Sequence, residues 1–121
     1  KVSQVGAACH TGNRTCFFNN IVKKEYVEKN PLTVLESVYA VIVDRMKNPK
    51  EDSYTNAVME KGIDEILKKL GHECTEIILA AKNPDSDDLK FEISDFMYHC
   101  MILMAQKNIT WAEIAGELAQ R

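Results

Sequence analysis

Four acidic residues are candidates for chemistry because they form two pairs with the same spacing, each among apolar neighbours. Glu73 and Glu76 are one pair, and Glu92 and Asp95 are the other. Residues three apart on an α-helix share a face, with Cβ atoms roughly 5–6 Å from each other, so each pair points in one direction. The segment between the pairs is long enough for the chain to reverse, and an antiparallel helical hairpin would bring the pairs face to face.

Four converging carboxylates predict a site for a hard divalent cation. Without a cation, their negative charges repel one another and raise their pKa values. Ligation by oxygen alone suits Mg²⁺, with Mn²⁺ as the alternative, and Mg²⁺ commonly keeps positions for water and for substrate phosphates. The pattern therefore indicates phosphate chemistry.

Two other interpretations of the acidic pairs are open. Acids on amphipathic helices are usually solvated, but apolar residues flank Glu76 in TEIIL and Asp95 in ISDFM. A di-iron carboxylate bundle needs Glu-x-x-His on two helices, and the sequence has no such motif on these segments.

Apolar residues at helical spacing predict the helices that must position these acids. The pattern favours an all-α fold, a bundle of four to five helices whose short connections place neighbours antiparallel. The first predicted helix begins at Leu32 and ends before Pro49, and the second runs from the N-cap Ser53 to Lys61, with a joint at Gly62. The third is predicted over Ile63 to Ala81, and the fourth is capped by Asp85, Ser86 or Asp87. Thr110 begins the last helix and forms a capping box with Glu113.

Composition limits the classes of function. A chain of 121 residues with 45% hydrophobic and 27% charged residues can form one globular domain. A net charge of −3 without a basic stripe argues against a nucleic-acid partner. No apolar run is long enough for a membrane span. Four cysteines without a secretory segment predict a cytoplasmic location, and Lys1 in place of Met suggests a processed or cut piece of a longer protein.

The run from Leu35 to Arg121 closely resembles phosphoribosyl-ATP pyrophosphohydrolase of histidine biosynthesis, a family of the all-α nucleoside triphosphate pyrophosphohydrolase superfamily. Three segments carry the resemblance: DRMKNPKEDSYTNAVMEKG, KKLGHECTEIILAAKN and FEISDFMYHCMIL. The superfamily pattern is Glu-Glu-x-x-Glu followed by Glu-x-x-Asp, and here His72 replaces the first Glu. The resemblance implies that four residues hold Mg²⁺ and form the catalytic site: Glu73, Glu76, Glu92 and Asp95.

The resemblance also implies a reaction. Phosphoribosyl-ATP would be hydrolysed to phosphoribosyl-AMP and pyrophosphate, by Mg²⁺-assisted attack of water at the linkage between the α- and β-phosphates. One alternative is a general nucleoside triphosphate pyrophosphohydrolase with the same metal site. The other is an inactive helical dimerisation module of a bifunctional enzyme, which the departure at His72 favours. His72 itself could be an outer donor, an extra ligand or a surface residue.

Six further residues are predicted to bind the nucleotide substrate through charge or hydroxyl groups. They are Arg45, Ser53, Tyr54, Thr55, Lys61 and Lys69. The simpler alternative for Ser53 is a helix N-cap, and for the lysines a solvated helix surface. His99 lies one turn beyond Asp95, where it could orient that carboxylate or be an ordinary buried histidine.

The N-terminal segment VGAACHTGNRTCFF resembles the C-terminal end of phosphoribosyl-AMP cyclohydrolase, in which Cys9 and Cys16 match two zinc-binding cysteines. The third is absent, so zinc binding is not expected. Residues 1–30 are therefore predicted to be a remnant and linker, or an unstructured tail, and residues 31–121 the pyrophosphohydrolase domain.

Apolar residues around most of the fourth helix predict a homodimer, because a helix that is apolar on all sides must be buried on all sides. They are Phe96, Met97, Cys100, Met101, Ile102, Leu103 and Met104.

Overall fold

The computed structural model describes residues 30–121, in which all regular structure is α-helical. The helices are α1 (Thr33–Lys47), α2 (Tyr54–Lys61), α3 (Ile63–Ala81), α4 (Asp87–Gln106) and α5 (Trp111–Ala119). The predicted all-α class is confirmed. The predictions for Cys9 and Cys16 lie outside the described residues. None of the described helices is long and apolar enough to cross a membrane.

The chain divides into two units, with the boundary between Val38 and Tyr39. Of the first unit, the structure describes residues 30–38. There the side-chain oxygen of Asn30 accepts a hydrogen bond from the backbone N–H of Leu32 at 2.9 Å, and its carbonyl accepts one from the Thr33 hydroxyl at 2.7 Å. The backbone N–H groups of Thr33 and Val34 also donate, to the carbonyls of Asn30 and Pro31 at 3.0 and 3.1 Å. These bonds satisfy backbone N–H groups that have no partner within the first turn of a helix, so α1 begins at this point.

The predicted caps of α2 and α5 are present. The Ser53 hydroxyl accepts a hydrogen bond from the backbone N–H of Asn56 at 3.2 Å. At α5, the Thr110 hydroxyl accepts from the N–H of Glu113 at 3.2 Å, and the Glu113 carboxylate accepts from the N–H of Thr110 at 2.8 Å. This reciprocal pair is a capping box, and it satisfies two backbone donors at the helix start.

The second unit is built on a hairpin of α3 and α4. The two helices are joined by the short connection 82–86 and pack along each other, and α2 packs against both. The hairpin positions the acidic residues, because Glu73 lies on α3 and Asp95 on α4. The core of the unit consists of apolar side chains that are at most 7% exposed: Ile42, Val58, Ile66, Ala80, Met101, Ile102, Met104 and Ala105.

The apolar residues of α4 are buried unevenly. Met101, Ile102 and Met104 are buried within a single chain, whereas Phe96 and Leu103 are only partly covered. Other large apolar side chains are exposed near the connection between α3 and α4: Ile78, Leu79, Phe91 and Ile93. One copy of the chain therefore covers part of the α4 circumference, and more apolar surface remains at the closed end of the hairpin.

Candidate active site

A cluster of possible ligands lies between α3 and α4. Glu73, Asp95 and His99 each offer one ligand atom, and these atoms lie within 4.8 Å of one another. Glu73 is only 6% exposed, and its Oε1 has no hydrogen-bond partner among the described residues. A buried carboxylate oxygen without a donor is costly in free energy, so its presence beside a second carboxylate points to a missing positive partner.

The electrostatics of Glu73 agree with this geometry. Burial raises the pKa of Glu73, and a hydrogen bond with Asp95 and the negative charge of Asp95 raise this pKa further. The interaction with His99 lowers the pKa of Glu73, and the charge of Glu92 raises this pKa by a smaller amount. In the metal-free protein, Glu73 therefore binds a proton more tightly than a solvated glutamate does.

His99 is 3% exposed, and both of its ring nitrogens have partners. Its Nδ1 lies 2.8 Å from the backbone carbonyl oxygen of Asp95 and 3.5 Å from the Asp95 side-chain Oδ1. The carbonyl can only accept, so Nδ1 carries a hydrogen and donates. In the neutral ring Nε2 then accepts from the hydroxyl of Tyr54, 2.8 Å away. Both ring nitrogens of His99 are therefore already in hydrogen bonds, and the ring lies beside the carboxylates as a supporting group.

Tyr54, the first residue of α2, links this cluster to Lys69 on α3. Tyr54 is 48% exposed, but partial burial raises its pKa, and the charges of Asp95 and Glu73 raise it further, so the phenol stays protonated and can donate. The Nζ of Lys69 lies 5.9 Å from the centre of the Tyr54 ring and 3.8 Å from the Glu65 carboxylate. A cation at this distance interacts favourably with the ring.

The predicted four carboxylates are not placed equally. Glu92 is near enough to Glu73 to raise its pKa. Glu76 is outside the group of three, and its carboxylate lies 3.4 Å from the His72 imidazole one turn earlier on α3. The side chains of His72 and Glu76 are 61% and 36% exposed. His72, the residue that departs from the superfamily pattern, thus contacts the predicted acid Glu76, which is outside the group of three.

The residues predicted to bind substrate also differ in their surroundings. Ser53 caps α2, and the buried Thr55 hydroxyl is hydrogen-bonded to the Tyr98 hydroxyl. The backbone carbonyl of Arg45 accepts from the Asn56 side chain at 2.8 Å, while the Asn56 oxygen accepts from the N–H of Lys50 at 2.9 Å. Asn56 therefore fixes the loop before α2, a role that its place in the sequence did not reveal.

An open pocket of about 570 Å³ lies beside this loop. Residues 49–53 line it together with Asn56, Ala57 and Glu60 of α2. Of the predicted substrate-binding residues, Ser53 is in its wall. Lys61 is exposed at the end of α2.

The residues of the cluster fit a divalent cation. The unpartnered oxygen of Glu73 and the adjacent Asp95 supply hard oxygen ligands. Burial and then Asp95 raise the pKa of Glu73, and a positive ion would oppose both effects by stabilising the charged carboxylate. Glu73 and Asp95 could therefore hold a metal ion, with His99 beside them as a supporting residue.

The fold and the site together define an all-α protein with a carboxylate-rich centre on a helical hairpin. Residues 35–121 match the family model described as phosphoribosyl-ATP pyrophosphohydrolase. The chain belongs to the phosphoribosyl-ATP pyrophosphohydrolase family.

Curated relatives of two kinds are similar to the chain. The histidine biosynthesis bifunctional protein HisIE of Caldanaerobacter subterraneus is 44% identical over 121 residues, which is all of this chain and 58% of the relative. The phosphoribosyl-ATP pyrophosphatase of Clostridium novyi is 51% identical over 90 residues, 74% of this chain and 82% of the relative. That of Bacillus cereus is 47% identical over 93 residues, 77% of this chain and 84% of the relative. The chain spans just over half the length of the bifunctional relatives.

Proposed function

We propose that this chain hydrolyses phosphoribosyl-ATP to phosphoribosyl-AMP and pyrophosphate in histidine biosynthesis. The observation that carries the proposal is the buried, unpartnered carboxylate oxygen of Glu73 beside Asp95, in a chain of the phosphoribosyl-ATP pyrophosphohydrolase family. Relatives named phosphoribosyl-ATP pyrophosphatase in Clostridium novyi and Bacillus cereus support the choice of substrate.

In this proposal Glu73 and Asp95 hold Mg²⁺, with Mn²⁺ as the alternative, and Glu92 and Glu76 complete the acidic set. When bound, Mg²⁺ supplies positive charge that neutralises the phosphate oxygens and acidifies the attacking water. Glu73 contributes a carboxylate in a place with little water, where charge interactions are strong. His99 donates its Nδ1–H to the backbone carbonyl of Asp95 and lies 3.5 Å from the Asp95 carboxylate, and in this proposal it supports that carboxylate.

The substrate would approach from the side of α2. Lys69 and Tyr54 are next to each other there, and Lys69 can bind a phosphate oxygen in exchange for its long contact with Glu65. Arg45, Ser53 and Lys61 are proposed to contact the ribose or the phosphates. Thr55 is proposed to support the substrate site indirectly, because its hydrogen bond with Tyr98 fixes α2 against α4.

A pyrophosphate-release assay with phosphoribosyl-ATP, with and without a chelator, tests the proposal. We expect release that needs Mg²⁺ and that Asp95→Asn and Glu76→Gln abolish while helical circular dichroism persists. Equal or faster release from ATP or dCTP would instead indicate a general nucleoside triphosphate pyrophosphohydrolase. No release in saturating Mg²⁺ would favour an inactive helical module, the alternative that the His72 and Glu76 contact supports.

We also propose that residues 1–30 are the end of a preceding cyclohydrolase domain. The bifunctional relative of Caldanaerobacter subterraneus aligns with the whole chain, whereas the single-function relative of Clostridium novyi aligns with 74% of it. If this is so, changing Cys9 and Cys16 to Ser should leave pyrophosphate release unchanged. A large loss would show that the segment takes part in the site.

A homodimer is the proposed assembly. Phe91 and Ile78 are 65% and 63% exposed near the connection between α3 and α4, and a monomer would leave this apolar surface in water. Sedimentation velocity at micromolar concentration tests the proposal, and a single species of 13.7 kDa would contradict it.

A further inference from the structure

Two adjacent hydrogen bonds join α2 to α4. The Tyr54 hydroxyl meets His99 Nε2 at 2.8 Å, and the Thr55 hydroxyl meets the Tyr98 hydroxyl. The partners are consecutive residues on both helices, so the two bonds experience the same movement of α2 relative to α4. The two bonds differ in whether the α4 partner also contacts the carboxylate cluster.

The Tyr54 bond leads to the carboxylate cluster. The ring of His99 has Tyr54 on Nε2 and Asp95 on Nδ1, with the Asp95 carbonyl at 2.8 Å and its Oδ1 at 3.5 Å. The Tyr54 and His99 rings are also in edge-to-face contact, with centroids 5.7 Å apart and planes at 85°. A ring that is held at both nitrogens and is only 3% exposed cannot rotate without breaking a bond inside the protein.

We propose that His99 is a positioning residue whose orientation, set by the Tyr54 hydroxyl, holds Asp95 in the place needed to bind the cation. The inference rests on the metal site of the proposed function. Groups that orient a metal ligand through hydrogen bonds change metal affinity without touching the ion. The docking of α2 and the affinity for the cation are therefore coupled, and each stabilises the other.

The Thr55–Tyr98 bond provides a matched control. This bond also joins α2 to α4. Among the described residues, the only contact of Tyr98 with the cluster of Glu73, Asp95 and His99 is between the rings of Tyr98 and His99. A phenylalanine at position 98 would keep that ring contact. Tyr98→Phe and Tyr54→Phe each remove one hydroxyl and preserve the ring. Both should lower the stability of the protein, but only Tyr54→Phe should alter cation binding.

The experiment measures the dissociation constant for Mg²⁺ by isothermal titration calorimetry on the full chain without nucleotide, so that substrate contacts of Tyr54 play no part. We expect Tyr54→Phe to weaken Mg²⁺ binding roughly threefold or more, and Tyr98→Phe to leave the constant unchanged. His99→Leu should weaken binding roughly tenfold or more, in the range known for residues that orient metal ligands. His99→Asn, whose amide nitrogen can replace Nδ1 as the donor to Asp95, should recover part of this loss.

A second comparison tests whether Tyr54 acts through His99. In the His99→Leu background the side chain at position 99 offers no acceptor to the Tyr54 hydroxyl, so adding Tyr54→Phe should cause no further change in the Mg²⁺ constant. If Tyr54→Phe weakens Mg²⁺ binding in this background as much as it does in the wild type, the proposal is overturned. Equal Mg²⁺ affinity of wild type, Tyr54→Phe and Tyr98→Phe would also overturn it. If the wild-type chain binds no Mg²⁺ at all, the metal site of the proposed function fails, and this inference fails with it.

Discussion

Replacing Glu73 with Gln should make the metal-free protein more stable and remove most of its stabilisation by Mg²⁺. Gln has nearly the same size as Glu but carries no charge, and its amide can donate to the nearby Asp95. The substitution therefore removes the buried charge whose desolvation, together with repulsion by Asp95, raises the pKa of Glu73, while the side chain remains buried. Few substitutions of a buried residue are expected to stabilise a protein, so the sign of the change is diagnostic.

The geometry sets the magnitude. Ligand atoms of Glu73 and Asp95 lie within 4.8 Å of each other. Two full negative charges at such a separation repel by about 3–4 kcal/mol at an effective dielectric constant of 20. Partial protonation of Glu73 relieves some of this energy, so we expect a gain of about 1–3 kcal/mol in the free energy of unfolding. For a domain of this size, the melting temperature should rise by roughly 5–15 °C.

The assay is thermal unfolding followed by circular dichroism, in chelator and in Mg²⁺. In the wild type, Mg²⁺ at a hundred times its dissociation constant should add about 2.7 kcal/mol. Glu76→Gln is the matched control, because Glu76 is more exposed and pairs with His72. Its effect in chelator should be below about 0.5 kcal/mol, in the range of exposed ion pairs.

Two results would refute this reasoning. If Glu73→Gln melts below the wild type in chelator, repulsion by Asp95 does not dominate at Glu73. If Mg²⁺ shifts the wild type and Glu73→Gln equally, the cation binds elsewhere or not at all.

Three further predictions concern pH, the core and a helix start. Because burial and Asp95 raise the pKa of Glu73 in the folded state, the folded protein binds this proton more tightly than the unfolded chain does. The contribution of Glu73 to stability in chelator should therefore be fully present below the ordinary pKa of 4.5 and should be lost as the pH rises through the higher folded value, a trend that Glu73→Gln should remove in melting curves. Ile102 is 0% exposed, so Ile102→Ala should cost about 2–5 kcal/mol in urea unfolding. Thr110→Ala should cost about 1 kcal/mol in the same measurement, since it removes the cap of α5.

The helices were predictable because each boundary has a local chemical cause. Ser53 and Thr110 cap the helices that follow them, and α1 ends before Pro49. Such caps depend on residues three or four apart, so the sequence displays both partners within one turn. The apolar spacing then identifies α3 and α4 as a packed pair.

The details of the site were less predictable because they depend on contacts distant in the sequence. The spacing of Glu73 and Glu76 predicts that both point in one direction, but it does not reveal that Glu73 is buried and that Glu76 lies beside His72. Which of two acids on the same helical face enters the core depends on the exact rotation of α3 against α4. The bond between Tyr54 and His99 joins residues 45 positions apart, and no local pattern reveals it.

The joint at Gly62 limits how this chain can change in length. Gly62 ends α2 and precedes α3 directly, with φ 98° and ψ 179°, a conformation that residues with a side chain rarely adopt. An extra Cβ would meet no atom within 4 Å, so the restriction comes from the backbone itself. One inserted residue at this joint would change the position of α2 relative to α3 and carry Tyr54 away from His99. Insertions and deletions should therefore be tolerated in the exposed connection 82–86 and be rejected at the single residue between α2 and α3.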